Sequence, residues 1–198
     1  MLRTILSTAF LFFSTSAFAQ YAPENDEALA LAQAGDMQAA WDIWKPLADA
    51  GDARAQANIG TILDKGDLVE EDDVEAVWWF RLSAEGGFAA GQYNLGIMYH
   101  RGTGVAQDYT QSFHWFRLSA RQGWPWSQTA VARAYLNGLG VAQDSARSYM
   151  WLALAAENKP ELVGDFLEQM ETRVGKAAIV RGRMLLAECH DLGVENCE

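Results

Sequence analysis

Gly91-Gln92-Tyr93-Asn94-Leu95-Gly96-Ile97-Met98-Tyr99, running on into Gly102-Thr103-Gly104-Val105-Ala106-Gln107-Asp108, is the stretch on which the fold turns. Further along, Ala134-Tyr135-Leu136-Asn137 leads into Gly138-Leu139-Gly140-Val141-Ala142-Gln143-Asp144, and the offset between the two is 36 residues. The same offset aligns Trp79, Trp115 and Trp151, then Asp72, Asp108 and Asp144. It also aligns Leu82, Leu118 and Leu154, Ala84, Ala120 and Ala156, and Gln56, Gln92 and Gln128. So many columns in register are not chance. Self-similarity at such a period marks an array of supersecondary units, each too small to bury its apolar face alone.

Each unit reads as two helices. From Ala53 to Lys65, Ala57 and Gly60, then Ile59 and Leu63, recur at helical steps. Gly66, Gly102 and Gly138 stand where a left-handed cap ends a helix, a conformation that glycine adopts without a steric penalty. Asp72, Asp108 and Asp144 are placed to cap the second helix and oppose its dipole. That helix presents Ala76, Trp79, Leu82 and Ser83 on one face and ends at Gly87 or Gly123. Small residues at Ala55, Gly91 and Ser127, and at Gly60, Gly96 and Ala132, predict close helix approach. The Trp79 column reads as core rather than as an aromatic ligand box.

The pattern resembles the Sel1-like repeat family, a relative of the tetratricopeptide repeats. Leu95, Gly96, Tyr99, Gly102, Gly104, Val105, Asp108, Trp115, Ala120 and Gly123 match its motif position by position. In the third unit Ala132 replaces the first glycine; in the first, Leu63 replaces the tyrosine and Leu68 the second glycine. Asp36, Ala40, Ala48 and Gly51 continue the columns one period earlier, giving a degenerate unit over about residues 24–51. The resemblance implies an all-α fold, a right-handed α/α superhelical solenoid over 20–156 with repeats at about 53–88, 89–124 and 125–157. Residues 158–198 depart from the repeat. Glu161–Met170 and Val174–Cys189 read as helices, and a solenoid needs such a cap over its last open face. Cys189 and Cys197 are expected to form a disulfide that pins this cap.

The chain opens with Met1-Leu2-Arg3, an apolar run from Ile5 to Phe13, and Ala17-Phe18-Ala19. That order predicts a signal peptide over residues 1–19, cut after Ala19, and a periplasmic or secreted protein. The run is short for a membrane span and no later segment approaches one, so no membrane insertion is expected after cleavage. The formal net charge is −11, and residues 21–85 carry 15 acidic against 4 basic side chains. Such a surface repels nucleic acid and anionic membrane, which excludes both as expected partners. The chain is read as a monomer.

Motifs for catalysis are absent. His100, His114 and His190 are scattered and fit no zinc-binding spacing, and no nucleophile elbow, SxxK or phosphate loop occurs. Gly102-Thr103-Gly104 lacks a following lysine and recurs as Gly138-Leu139-Gly140, so it reads as an interhelical turn. Glu70 to Asp73 lacks calcium-loop spacing. No catalytic, metal-binding or cofactor-binding residue is assigned. Four columns of the first helices instead vary in chemistry: Arg54/Ala90/Trp126, Asn58/Asn94/Ala130, Thr61/Ile97/Arg133 and Lys65/Arg101/Asn137. Steps of four, three and four put them on one face, the concave side of a stacked array. The candidate protein-binding residues are therefore Arg54, Asn58, Lys65, Asn94, Arg101, Trp124, Trp126 and Arg133, a basic stripe suited to an acidic or extended peptide. The resemblance implies a non-catalytic adaptor, scaffold or regulator of the cell envelope that binds a protein or peptide. Its alternatives are a secreted factor engaging host proteins, and the penicillin-binding or weak β-lactamase-like hydrolase of cysteine-rich relatives. Those relatives carry a disulfide in each repeat, whereas here both cysteines lie in the tail.

Overall fold

The computed structural model describes residues 23–164 and 166–197, so the expected signal peptide lies outside the described residues. Among the described residues it is helical throughout, without a strand. Four antiparallel pairs follow one another: α1 (Glu24–Gln33) with α2 (Met37–Asp49), and α3 (Ala53–Lys65) with α4 (Asp73–Glu85). Next come α5 (Ala89–Arg101) with α6 (Tyr109–Arg121), and α7 (Pro125–Asn137) with α8 (Ser145–Asn158). Each helix packs on its partner, and the second helix of each pair packs on the first helix of the next, which makes a solenoid. First helices α3 and α5 also touch.

Local chemistry accounts for the boundaries. Gly66, Gly102 and Gly138 end α3, α5 and α7 at φ of 66°, 75° and 70°. Asp72, Asp108 and Asp144 accept backbone N–H bonds at the starts of α4, α6 and α8. Asp36 and Asp52 do the same for α2 and α3. The loop is closed in every repeat by one bond, from the N–H of Asp72, Asp108 or Asp144 to the carbonyl of Leu63, Tyr99 or Tyr135.

Asp144 carries a pH-dependent contribution. Burial pushes its carboxyl up, but bonds from the Arg147 N–H and guanidinium and the Ala146 N–H together hold it below the ordinary 3.8. A depressed acid stabilises the fold in full above the unfolded value and loses that contribution as pH falls through the folded one. Asn caps a helix almost as well. Asp144→Asn should therefore lose only what the charge adds, up to about 1 kcal/mol at neutral pH, and the gap to wild type should close on acidification below about pH 3.8. Urea unfolding across that range checks it; a gap that stays constant contradicts it.

Columns that repeat in the sequence join the units. Gln56, Gln92 and Gln128 are buried, and each donates to the carbonyl of Ala48, Ala84 or Ala120 in the preceding helix. Ser83 and Ser119 reach back in the same way to the carbonyls of Ala53 and Ala89. The small column at Gly60, Gly96 and Ala132 has a specific cause. A Cβ at Gly60 would stand 2.8 Å from the Phe80 ring, and one at Gly96 would stand 2.6 Å from Phe116. In the third repeat Leu152 replaces the phenylalanine, and Ala132 fits. The Trp column is core: Trp79 and Trp151 are buried, and Trp115 packs partly buried against the same core.

The tail forms α9 (Pro160–Val163), α10 (Phe166–Arg173) and α11 (Lys176–Leu192). The single helix expected over 161–170 is thus two, because the chain turns at Gly164 with φ 49° and ψ −137°. Pro160 opens α9 rather than merely ending the preceding helix, since its fixed φ suits a first helical turn. α11 lies along α8, and its approach is so close that a Cβ at Gly182 would stand 2.8 Å from the Ala146 carbonyl. It buries Met150; Trp78, in the same column two repeats earlier, is 51% exposed. Cys189 and Cys197 form the expected disulfide, their Cα atoms 5.0 Å apart. Arg121 of α6 donates to the carbonyl of Glu195, tying the bridged segment back to the solenoid. No helix among the described residues is long and apolar enough to cross a membrane. The disulfide suggests an oxidising, extracytoplasmic environment.

Candidate functional site

Tyr93, Ile97 and Arg101 follow one another at steps of four along α5, and Trp126, Ala130 and Arg133 run along the facing side of α7. Between these two lines the structure leaves a groove of about 310 Å³. Ser112, Phe113 and Phe116 of α6 form its floor, with Leu139 from the following loop and Leu162 from α9 beside them. His100 and Tyr109 complete the rim, their rings 5.2 Å apart. The floor is preorganised by ring contacts: Tyr93 lies 5.7 Å from Phe116, and Phe113 meets Tyr135 edge-on at 5.3 Å.

Charge at the groove runs against the rest of the molecule. The lining contains Arg101 and Arg133 and no carboxylate among the described residues, in a chain of net charge −11. The Arg133 guanidinium lies 5.6 Å from the centre of the Phe166 ring, in a cation–π contact with the cap. Lys159 Nζ sits 4.3 Å from the Trp126 ring centre beside the groove, where it also pairs with Glu161 at 3.6 Å. Burial raises the Tyr93 hydroxyl's pKa, and Arg101 and Arg133 both act to lower it, so both guanidiniums lie within electrostatic reach of that hydroxyl. Arg101 makes no ion pair among the described residues, although it is near enough to Asp64 to oppose the upward push that burial and Asp73 exert on that carboxyl.

The sequence-derived stripe is therefore divided. Arg101, Trp126 and Arg133 come together in the groove. Arg54 does not: its guanidinium lies 2.7 Å from Asp26 of α1, in an ion pair that takes it out of the expected set of free cations. Lys65 is exposed at the end of α3, and Asn58 is half-buried on the same helix. Asn94 donates to the Thr61 hydroxyl at 3.5 Å, bridging α5 to α3. Trp124 precedes α7 and stacks on Trp126 at 5.4 Å, outside the groove lining. Tyr93, Phe113, Phe116, Tyr109 and Leu162 were missing from the stripe. The Ala57/Tyr93/Thr129 column varies and was the available signal for Tyr93; Leu162 comes from the cap and has no repeat counterpart.

The profile of the family described as Sel1 repeat matches residues 53–88, 89–124 and 127–160, more than half of the chain. The chain belongs to the Sel1 repeat family. Among solved structures, this Sel1 repeat protein is similar to c5321, a protective antigen present in uropathogenic Escherichia coli strains that displays an SLR fold. That likeness has a TM-score of 0.70 and 30% identity, and covers 79% of this chain and 36% of the antigen. The chain thus spans about a third of the antigen's length. A Sel1 repeat protein from Oxalobacter formigenes is similar with a TM-score of 0.59 and 38% identity, over 64% of this chain and 95% of that one. No curated protein matches. Sel1 repeats generally mediate protein–protein interaction, and the fold is typically a non-catalytic scaffold. Among the described residues, no group of three or more His, Cys, Asp or Glu side chains is arranged to hold a metal ion.

Proposed function

We propose that this chain is a periplasmic adaptor that holds a protein or peptide segment on its inner face, in the groove between α5 and α7. The supporting observation is the pairing of an aromatic floor with the guanidiniums of Arg101 and Arg133 in a lining free of acids. Arg and Trp are the residues that dominate binding energy at interfaces when they sit beside desolvated apolar surface. The acidic remainder of the chain repels acidic segments elsewhere on the surface, so the cationic groove is where a partner of opposite charge is favoured, and the groove itself repels basic competitors.

The test is a triple substitution, Arg101→Gln with Trp126→Ala and Arg133→Gln. All three side chains lie at the groove rather than in the fully buried core, so helicity by circular dichroism should be unchanged. Partner cross-linking in intact cells, read by mass spectrometry, should fall about tenfold or more, since losing one interfacial hot spot of ~2 kcal/mol already costs that much. Capture that survives the triple change defeats the proposal. A second reading, a secreted factor engaging host proteins through the same groove, draws support from the likeness to the Escherichia coli protective antigen. Fractionating periplasm from culture medium separates the two.

A further inference from the structure

The groove has two demands, and they lie side by side. Ile97, Phe113 and Phe116 present apolar surface, while Arg101 and Arg133 bring positive charge to the same cavity, whose lining holds no carboxylate among the described residues. At about 310 Å³ it is at the small end of ligand sites, large enough for one or two residues of a peptide rather than a long strand.

An internal acidic segment meets both demands poorly. In an extended chain neighbouring side chains point to opposite sides, so an apolar residue and the acid next to it do not enter one small cavity together. A chain's last residue is different. It carries its side chain and its carboxylate on the same Cα. The apolar part can then enter the floor while both carboxylate oxygens meet guanidinium N–H groups in the bidentate geometry that arginine favours. Tyr93 brings a hydroxyl to the same cavity, and that hydroxyl senses both guanidiniums.

We propose that the groove recognises the C-terminal residue of a protein partner, its apolar side chain against Ile97, Phe113 and Phe116 and its terminal carboxylate paired with Arg101 and Arg133. The inference rests on the groove being a peptide site and adds what part of the peptide it reads. Chains that end in leucine or phenylalanine fit; chains that end in lysine or aspartate leave the floor unfilled or force a charge onto it.

The experiment uses the purified full chain and anisotropy of the labelled peptide, with intrinsic tryptophan fluorescence as a second readout. The probes are fluorescein-Gly-Ser-Gly-Ser-Ala-Leu with a free C terminus, the same peptide as its amide, and a lysine-ending version. A fourth probe, blocked at both ends, carries Glu-Leu-Glu internally, and N-acetyl-leucine is the fifth. The free leucine peptide should bind, and amidation or a terminal lysine should weaken it tenfold or more. In Arg101→Gln and Arg133→Gln the free acid and the amide should bind alike, because the charge that tells them apart is gone. An amide that binds wild type as well as the acid overturns the proposal. Tighter binding of the internal acidic probe overturns it too, but leaves the peptide-binding reading standing. N-acetyl-leucine binding as tightly as the hexapeptide assigns the groove to small apolar acids and overturns it. Failure of every probe overturns this inference, while the cellular cross-linking test decides the broader reading separately.

Discussion

Trp151→Ala should lower stability by about 3–5 kcal/mol, the range for emptying a fully buried aromatic site. Trp151 is 1% exposed and belongs to the core that α6, α7, α8 and the cap helices share, so its loss opens a cavity at the junction of repeat and cap. Its indole N–H has no acceptor among the described residues. The reason is visible in the repeat. In the first unit Trp79 donates to Glu75, one turn earlier, at 3.2 Å. Arg147 occupies the position corresponding to Glu75, and it offers donors only. Trp151→Phe keeps most of the volume and removes the unpaired N–H, so it should cost less than about 1.5 kcal/mol. Urea unfolding of both variants, followed by circular dichroism, measures the two losses. Equal losses would mean that cavity volume does not govern this site.

Gly140→Ala should cost about 2–5 kcal/mol, combining a left-handed backbone that alanine resists with an overpacked contact. Gly140 has φ 70°, and a Cβ there would collide with the backbone carbonyl of Tyr109, at the start of the preceding repeat's second helix. Gly104 stands in the same relation to Asp73. Gly138 supplies the control. It has the same φ of 70°, but a Cβ would meet its nearest atoms only at 3.7 Å. Gly138→Ala should therefore lose only the backbone contribution, about 1–2 kcal/mol. Thermal or urea unfolding of the pair isolates the contact between repeats. If the two variants are equally destabilised, the loop does not set the stacking distance.

Gly140 also shows where a sequence is legible. The Gly-x-Gly pair reads as a turn, and both of its glycines do have positive φ. Nothing in that reading reveals that the second glycine is pressed against another repeat, because the contact links residues 31 apart. The Gly96 and Phe116 pair was half legible in the same way: smallness pointed to a close approach, but the aromatic ring that requires it lies on another helix.

By itself the sequence determined the helices of the three repeats, their aspartate and glycine caps and the 36-residue unit. Each depends on hydrogen bonds or side-chain periodicity spanning only a few residues, and chemistry at that range is written in adjacent letters. Tertiary structure alone decided which cations were left for a partner. Asp26 takes Arg54 from an earlier helix pair, Phe166 meets Arg133 from the cap, and Leu162 joins the groove from α9. Those pairings follow from how the units stack and where the tail folds back, and no local rule of spacing carries that information.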